Sequence, residues 1–218
     1  MPDGSEQNVR GSATREIVLA SASPARKGLL LAAGVAPRIL PSDVDEDVIA
    51  SSPAAADLGI GELAQLLAEA KSRDVAHGLG ASGSGAIVVG CDSILEWNGK
   101  GLGKPGSASV AVDRLRQMQG TSGVLHTGHA VEDLASGQRV GRVRSTRVDF
   151  AEMSEEEIAA YVRTGEPLGV AGSFTLDGLS SPFVAFVQCL FENGMLGPNF
   201  FDNFLSQKNF QVGLYQVQ

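Results

Sequence analysis

Four polar side chains near residue 24 have the chemistry of an anion-binding site: Ser21, Ser23, Arg26 and Lys27. They follow a short apolar run, Ile17–Ala20, that is typical of a buried strand. Pro24 directly after a serine predicts a helix start, and Gly34 predicts the end of that helix. The first helical turn has unpaired backbone N–H groups, and its dipole favours an anion. The segment therefore predicts a phosphate site without a P-loop, although any strand–turn–helix connection also needs a polar cap.

Carboxylates follow two other apolar segments. One loop carries a cluster of four acids: Asp43, Asp45, Glu46 and Asp47. Asp92 follows Ala86–Cys91, an apolar run of the length expected for a buried strand. Because α/β proteins place ligand-binding groups at the carboxyl ends of strands, Asp92 is a candidate site residue. A carboxylate there can hold Mg²⁺ or accept a proton from an attacking water, whereas the acidic loop is equally compatible with a solvated turn.

Two lysines are further candidates. Lys71 lies near the C-terminal end of a predicted amphipathic helix, Gly61–His77, whose apolar residues include Leu63, Leu66, Leu67 and Ala70. Lys104 precedes Pro105, whose stiff backbone would hold the ammonium group in place better than an ordinary surface loop.

Other motifs carry less chemistry. Gly78–Gly83 matches G-x-G-x-x-G as text but follows a helix and precedes a strand, the reverse of a dinucleotide-binding turn, so we interpret it as a loop. The three histidines lack metal-ligand spacing. We expect His126 and His129, on or beside a strand, to be hydrogen-bonded within the fold.

The elements that must position these residues alternate between strands and helices. Further strands are predicted at Leu125–Leu134, Arg142–Phe150 and Phe183–Phe191, and further helices at Ser107–Gln119 and Ser154–Arg163. Ser154 and Glu157 form a capping-box pattern, and Asn98-Gly99 predicts a hairpin turn. Together these signals predict an α/β fold with a mixed twisted sheet and flanking helices.

Composition limits the class of protein. The chain has 218 residues, 43% of them hydrophobic, and a net charge of −8. This length suits one α/β domain or at most two small lobes, and the negative charge argues against a nucleic-acid polymer as partner. Cys91 and Cys189 form no C-x-x-C pair and are interpreted as buried thiols of a reducing compartment. We find neither a signal peptide nor an 18-residue apolar run, and expect a soluble, cytoplasmic protein with no membrane partner.

Nine segments, in this order, resemble the Maf family of nucleoside triphosphate pyrophosphatases: LASASPARKGLL, DVDE, LAEAK, VVGCDSIL, GKP, LHTG, VDF, SEEEIAAYV and GEPLGVAGSF. The resemblance covers Ile17 to Pro182. It implies two lobes around a nucleotide cleft (Maf/ITPase-like) and hydrolysis of nucleoside triphosphates, including non-standard ones, to monophosphate and pyrophosphate. It also implies a divalent cation, Mg²⁺ or Mn²⁺, and links the family to septum formation. We predict a disordered extension over 1–15, a Maf-like domain over 16–192 and an atypical tail over 193–218.

The resemblance assigns roles to residues of this chain. Ala25 replaces the first of two phosphate-binding arginines, so that role falls on Arg26, helped by Lys27, Ser21 and Ser23. The implied catalytic set is Arg26, Lys71, Asp92 and Lys104, with Asp92 as proton acceptor. The implied metal ligands are Asp92 and Glu46.

The chain departs from the family pattern in two places. GVAGSFTLDG lacks an Asp-Lys pair that many members have, and Asp177 replaces a glutamine. This segment is similar to a subgroup that prefers 7-methylated guanosine triphosphate, so we predict base contacts from Asp177 and an aromatic side chain, Phe174 or Trp97. Alternatively, Asp177 only caps the turn before Gly178. The tail is rich in Phe, Asn and Gln, lacks the family's final segment, and is predicted to pack loosely.

Three functional hypotheses follow. The first is a nucleoside triphosphate pyrophosphatase with a nucleoside triphosphate as its partner. The second is a nucleotidyl- or sugar-phosphate transferase, which would need a second substrate pocket. The third is a catalytically impaired nucleotide-binding or division-regulating protein. The sequence leaves open a homodimer.

Overall fold

The computed structural model describes residues 15–83, 85–176 and 178–190. Its strands form one mixed sheet in the order β2-β1-β3-β5-β6-β7, with β4 paired to β3. The strands are β1 Ile17–Leu19, β2 Arg38–Ile39, β3 Ile87–Trp97, β4 Lys100–Leu102, β5 Ser122–Asp133, β6 Arg139–Phe150 and β7 Val184–Leu190. The α-helices are α1 Pro24–Ala32, α2 Glu46–Ala50, α3 Ile60–Leu79, α4 Ala108–Met118 and α5 Glu155–Arg163. This arrangement confirms the predicted α/β fold.

Strand β3 is the centre of the sheet, and it is longer than predicted. The apolar run ends at Cys91, but the strand continues to Trp97 because β5 pairs with it, antiparallel, from Ile87 to Glu96. Asp92 therefore lies within the strand and not at its end. On the other edge, the parallel pairing with β1 stops at Val89, and β4 begins to pair only at Leu95. The intervening edge of β3 is open to side chains.

Helix α3 packs unusually close to the sheet. A Cβ atom on Gly90 or Gly128 would collide with the α3 backbone at Ala68 or Ala64, so glycine at these two strand positions allows the close approach. The fully packed face of α3 consists of Ala64, Leu67, Ala68, Lys71, Ser72, Val75 and Leu79. Of the residues predicted for this face, only Leu67 belongs to it. The close packing brings Lys71, in the middle of the helix and not near its end, against the sheet.

Two hydrophobic clusters flank the middle of β3. The first joins Val88 to Val75 and Leu79 of α3. The second joins Leu95 to Met118, next to a further cluster between α4 and α5. Asp92 lies between Val88 and Leu95 in the strand, so both sides of its position are anchored by packed side chains.

Local signals correctly located several chain reversals and helix ends. Asn98 and Gly99 both have positive φ, 50° and 70°, as a two-residue hairpin loop between β3 and β4 requires. Ser154 and Glu157 form the predicted capping box of α5. Within the described residues, no helix is both long and apolar enough to cross a membrane.

The predicted terminal segments fall largely outside the structural description. Of the extension predicted over 1–15, only Arg15 is described, and it forms an ion pair with Asp133. The predicted tail over 193–218 lies outside the described residues, as do Asp177 and the side chain of Cys189.

Candidate phosphate and proton-transfer site

The start of α1 has the predicted geometry. Ser23 is the N-cap, and its hydroxyl accepts a hydrogen bond from the backbone N–H of Arg26 at 3.4 Å. Pro24 begins the helix. The buried hydroxyl of Ser21 accepts from the backbone N–H of Ser23 at 3.3 Å, which tightens the turn between β1 and α1. The helix N-terminus is therefore placed directly beyond the end of a buried strand.

The Arg26 guanidinium fills the open edge of β3. Its Nη1 donates to the Ser21 hydroxyl at 2.9 Å and to the Cys91 carbonyl at 2.7 Å, and its Nη2 donates to the Ser93 hydroxyl at 3.1 Å. The Cys91 carbonyl lies just beyond the part of β3 that pairs with β1. Arg26 thus takes the place of a missing strand and stays fixed at the helix start, whereas Lys27 is exposed.

Lys71 joins two carboxylates from different elements. Its Nζ lies 2.5 Å from Oδ1 of Asp92 and 2.7 Å from Oε1 of Glu46. Lys71 and Asp92 are buried, whereas the Glu46 side chain is 46% exposed. The three side chains come from α3, β3 and α2, so the cluster forms only in the folded protein.

Burial raises the pKa of Asp92 above its ordinary value, and the charge of Glu46 acts in the same direction. The ammonium of Lys71 opposes this shift. A buried carboxylate with a raised pKa is a better proton acceptor than an ordinary aspartate. The raised pKa favours the predicted role of Asp92 as a proton acceptor, which stays a prediction.

The four acids of the acidic loop have different environments in the structure. Asp45 caps α2 by accepting from the Val48 N–H at 3.0 Å, and Glu46 begins that helix. The Asp43 N–H donates to Asp74 at 3.0 Å, and Asp47 is exposed. The described residues contain no group of three or more His, Cys, Asp or Glu side chains that could hold a metal ion. Of the four acids, only Glu46 joins the cluster with Asp92.

Lys104 makes no described contact with this cluster. It is exposed and makes no hydrogen bond or ion pair with other described residues. Its loop is anchored at Gly103, whose carbonyl accepts from Arg114 at 2.7 Å and from the Gly172 N–H at 3.2 Å. A role for Lys104 on substrate stays a prediction.

The aromatic candidates have structural partners. Phe174 is buried and packs edge-on against Phe150, with ring centroids 5.0 Å apart. The indole N–H of Trp97 donates to the Thr121 hydroxyl at 2.9 Å. Phe174 thus occupies a position in the hydrophobic core, and its proposed contact with a base stays a prediction.

The histidines are hydrogen-bonded within the sheet, as expected. His126 lies 2.9 Å from both Glu96 Oε2 and Ser145 Oγ. His129 Nδ1 lies 3.3 Å from the Arg142 carbonyl, and burial lowers the pKa of His129.

The sequence pattern does not reveal the side chains that hold Arg26. Ser93 follows Asp92 directly, so strand alternation points the two side chains to opposite faces of the sheet. Ser93 contacts Arg26, and its hydroxyl lies 3.0 Å from that of Thr127 on β5. The serine–threonine contact depends on which strands pair, and so no local signal identifies it.

The fold and this geometry define an α/β protein in which an arginine-bearing helix start and a buried carboxylate–lysine cluster meet neighbouring residues of one strand, Cys91 and Asp92 of β3. The sequence profile of the family described as Maf-like protein matches residues 16–195, and the chain belongs to this family. The resemblance found in the sequence is thereby confirmed.

Three relatives are each named nucleoside triphosphate pyrophosphatase. A protein of Streptomyces coelicolor is 52% identical over 171 residues, which is 78% of this chain and 79% of the relative. A protein of Salinispora tropica is 49% identical over 175 residues, covering 80% of this chain and 75% of the relative. A protein of Thermosynechococcus vestitus is 48% identical over 168 residues, covering 77% and 80%.

Proposed function

We propose that the protein hydrolyses nucleoside triphosphates to nucleoside monophosphate and pyrophosphate. The single observation that carries this proposal is the cluster in which Lys71 joins Asp92 and Glu46 beside the arginine-bearing start of α1. Family membership and the names of the relatives favour this reaction. Nothing favours a transferase or a catalytically impaired regulator.

The phosphate chain would bind at the α1 N-terminus and at Arg26. A guanidinium has five N–H donors, and the described contacts of Arg26 engage three of them. Nε and one hydrogen of Nη2 stay available for phosphate oxygens. Ser21 and Ser23 shape the turn, and Lys27 and Lys104 would add charge from the surface. These groups would stabilise negative charge that develops on the phosphates in the transition state.

Asp92 would accept the proton of the attacking water. Its raised pKa supports this role, and Lys71 holds its carboxylate in place. The contact with Lys71 also keeps Glu46 close to Asp92. In-line attack requires accurate positioning of the water and the phosphate, and the packing on both sides of Asp92 in β3 supplies a rigid support for it.

The two carboxylates also suit a divalent cation. Mg²⁺ is commonly held by one or two carboxylates together with substrate phosphates, and Asp92 and Glu46 lie within hydrogen-bond distance of the same ammonium group. When bound, Mg²⁺ or Mn²⁺ would neutralise phosphate charge and polarise the reacting phosphoryl group.

The base preference is part of the proposal. We expect guanine-type and 7-methylated guanine substrates, since an Asp177 carboxylate can accept from the N1–H and N2–H₂ edge of guanine. Because Asp177 lies outside the described residues, this expectation depends on sequence alone. Replacing Asp177 by glutamine should move the ratio of kcat/KM values toward pyrimidine triphosphates.

We also propose that no nucleic-acid polymer is a partner, because the net charge is −8. A cytoplasmic setting is proposed because the two cysteines form no C-x-x-C pair and Cys91 is a buried free thiol, and no membrane partner is proposed because the sequence has no 18-residue apolar run. A homodimer stays open. Sedimentation in the presence and absence of substrate would measure the oligomeric state.

The function is tested by incubating the protein with guanine, 7-methylguanine, thymine and uracil nucleoside triphosphates, with Mg²⁺, Mn²⁺ or chelator. We expect equal amounts of pyrophosphate and monophosphate, and no activity in chelator. Asp92→Asn should lose most of this activity, and Asp113→Asn is its matched control, because Asp113 is an exposed aspartate on α4. Triphosphate binding without release of pyrophosphate from any substrate would overturn the proposal in favour of a regulatory protein.

A further inference from the structure

Arg26 belongs to a short chain of hydroxyl groups that crosses two strands. Its Nη2 donates to the Ser93 hydroxyl at 3.1 Å, and the Ser93 hydroxyl lies 3.0 Å from Oγ1 of Thr127. Ser93 and Thr127 are directly opposite each other in the β3–β5 pairing. The chain therefore connects the guanidinium to the interior of the sheet on the face opposite Asp92.

The contacts of Arg26 divide between its two terminal nitrogens. Both hydrogens of Nη1 are engaged, by Ser21 and by the Cys91 carbonyl. On Nη2, the Ser93 hydroxyl is the described partner. The contacts of Nη1 alone would allow the guanidinium plane to tilt about that nitrogen. The contact with Ser93 fixes the plane, and with it the directions of the donors that remain for a ligand.

Ser93 needs a partner of its own to hold this orientation. A hydroxyl has one proton and two acceptor positions, and it rotates to suit its neighbours. Because Ser93 accepts from Arg26, its own proton is available for Thr127. Threonine is β-branched and has few accessible χ1 rotamers, so its hydroxyl is a more fixed partner than that of a second serine.

We propose that Thr127 is a positioning residue which, through Ser93, orients the Arg26 guanidinium toward the phosphate chain of the substrate. This inference rests on the proposed function, since the substrate supplies the phosphates. Thr127 itself touches neither Arg26 nor the reacting atoms. It acts by limiting the positions of the Ser93 hydroxyl, and a valine of the same shape would remove that limit without creating a cavity.

The test compares two substitutions of Thr127 with a matched control. Thr127→Val removes the hydroxyl and keeps the shape, whereas Thr127→Ser keeps the hydroxyl. Thr146→Val makes the same chemical change on β6, on the same face of the sheet, at a half-buried threonine whose hydroxyl makes no side-chain hydrogen bond within the described residues. We expect Thr127→Val to raise KM about fivefold with little change in kcat, which is the size of effect expected for the loss of one hydrogen bond. Thr127→Ser and Thr146→Val should stay within about twofold of the wild type.

A double-mutant cycle separates positioning from a general structural effect. In an Arg26→Ala background, Thr127→Val should have no further effect on kcat/KM, because its target is gone. An equal loss in both backgrounds, or a wild-type KM for Thr127→Val, would overturn the inference. Thermal unfolding of each variant shows whether a loss of folding stability explains the result.

A binding measurement keeps this inference separate from the proposed reaction. Inorganic pyrophosphate serves as the probe in calorimetry, with no turnover required. If the wild type binds pyrophosphate but hydrolyses no triphosphate, the proposed function fails, and Thr127→Val should still weaken pyrophosphate binding about fivefold. If triphosphate is hydrolysed and Thr127→Val leaves pyrophosphate binding unchanged, the reaction stands and the positioning role of Thr127 is wrong.

Discussion

Two aspartates of the central sheet, Asp133 and Asp92, are each paired with a cation, yet their pKa values move in opposite directions. Asp133, at the end of β5, accepts from both terminal nitrogens of Arg15, one of them at 2.7 Å, and from the backbone N–H groups of Ala135 and Ser136. These donors hold the pKa of Asp133 well below its usual range. Asp92, in the middle of β3, receives one described hydrogen bond, from Lys71, and its pKa is raised by burial.

The comparison shows that a cation partner does not by itself set the pKa of a carboxylate: burial outweighs the cation at Asp92, whereas hydrogen bonds, first that from Arg15, outweigh burial at Asp133. Asp133 has four described hydrogen bonds, and its ionised form is strongly favoured. Asp92 and Asp133 expose the same 7% of their surface, but Asp92 has one described donor and lies near a second carboxylate, that of Glu46. The four hydrogen bonds of Asp133 stabilise the fold. Asp92 has one described donor, so it has lone pairs that could accept a proton, a metal ion or a hydrogen bond from water. Perturbed carboxylates of the second kind are concentrated at functional sites.

The largest effect should come from Asp92→Asn. Asparagine keeps the shape but cannot accept the proton, so we expect kcat to fall about 10²–10⁴-fold while triphosphate binding largely persists. The measurement is steady-state release of pyrophosphate beside calorimetric binding of a triphosphate. Asp133→Asn serves as the matched control, with kcat unchanged. A similar loss of kcat in both variants would remove the distinction between the two aspartates.

Lys71→Met should have the next largest effect. It removes the cation that Asp92 and Glu46 share, so we expect kcat/KM to fall about 10–100-fold. The pKa of Asp92 should rise further, because Lys71 lowers it more than any other group does, and the acidic limb of the pH–rate profile should move to higher pH. Arg73→Met, an exposed change on the same helix, is the control. An acidic limb that moves to lower pH would contradict the assignment of Asp92 as the base.

Asp133→Asn should lower the free energy of unfolding by about 1–3 kcal/mol near pH 7, because it breaks a charge-assisted pair with Arg15. The folded-state pKa of Asp133 is depressed, so its contribution is present above the unfolded-state value of about 3.9 and is lost as the pH falls through the folded-state value. Urea unfolding at several pH values should show the gap between wild type and variant shrinking below about pH 4. If the difference in unfolding free energy between wild type and variant is constant down to pH 3, the shape of the Asp133 side chain, and not its charge, stabilises the fold.

Arg15→Lys should give the smallest effect. It keeps the charge beside Asp133 but loses the fork that donates to both carboxylate oxygens, so we expect a loss of about 0.5–1 kcal/mol. Unfolding in urea at pH 7 gives the value, with Arg38→Lys, at an exposed surface pair with Glu16, as the control. A loss as large as that of Asp133→Asn would mean that the fork, and not the charge, supplies the whole contribution.

Much of the architecture could be predicted because its signals are local. The serine cap and proline of α1, the capping box of α5 and the Asn-Gly hairpin turn depend on a few neighbouring residues, and each is observed. The end of β3 was misplaced because pairing with β5 and β4 extends the strand beyond its apolar run. The packed face of α3 was misjudged because the helix meets glycines in the sheet, where small residues fit better than leucines.

The candidate site shows the same division between local sequence signals and contacts made only in the folded chain. Arg26, Lys71, Glu46 and Asp92 were candidates from the residue pattern, and the family resemblance assigned their roles. The fold brings Lys71 together with both carboxylates and places Arg26 at the open edge of β3. Lys104, a candidate because it precedes Pro105, is exposed without partners among the described residues, and Phe174, which came from the resemblance, packs in the core. A motif specifies residue types and order, but it does not specify which side chains meet.

The amino-acid sequence by itself determined the α/β class, the helix caps and the order of residues that carry the family resemblance, because these depend on short-range patterns. Tertiary structure alone decided that Asp92 is buried with few donors, that Arg26 replaces a strand at the edge of β3, and that Thr127 lies behind Ser93. The physical reason is that burial, pKa and hydrogen-bond partners depend on contacts between residues far apart in the chain, which exist only when β3, β5 and α3 are packed together.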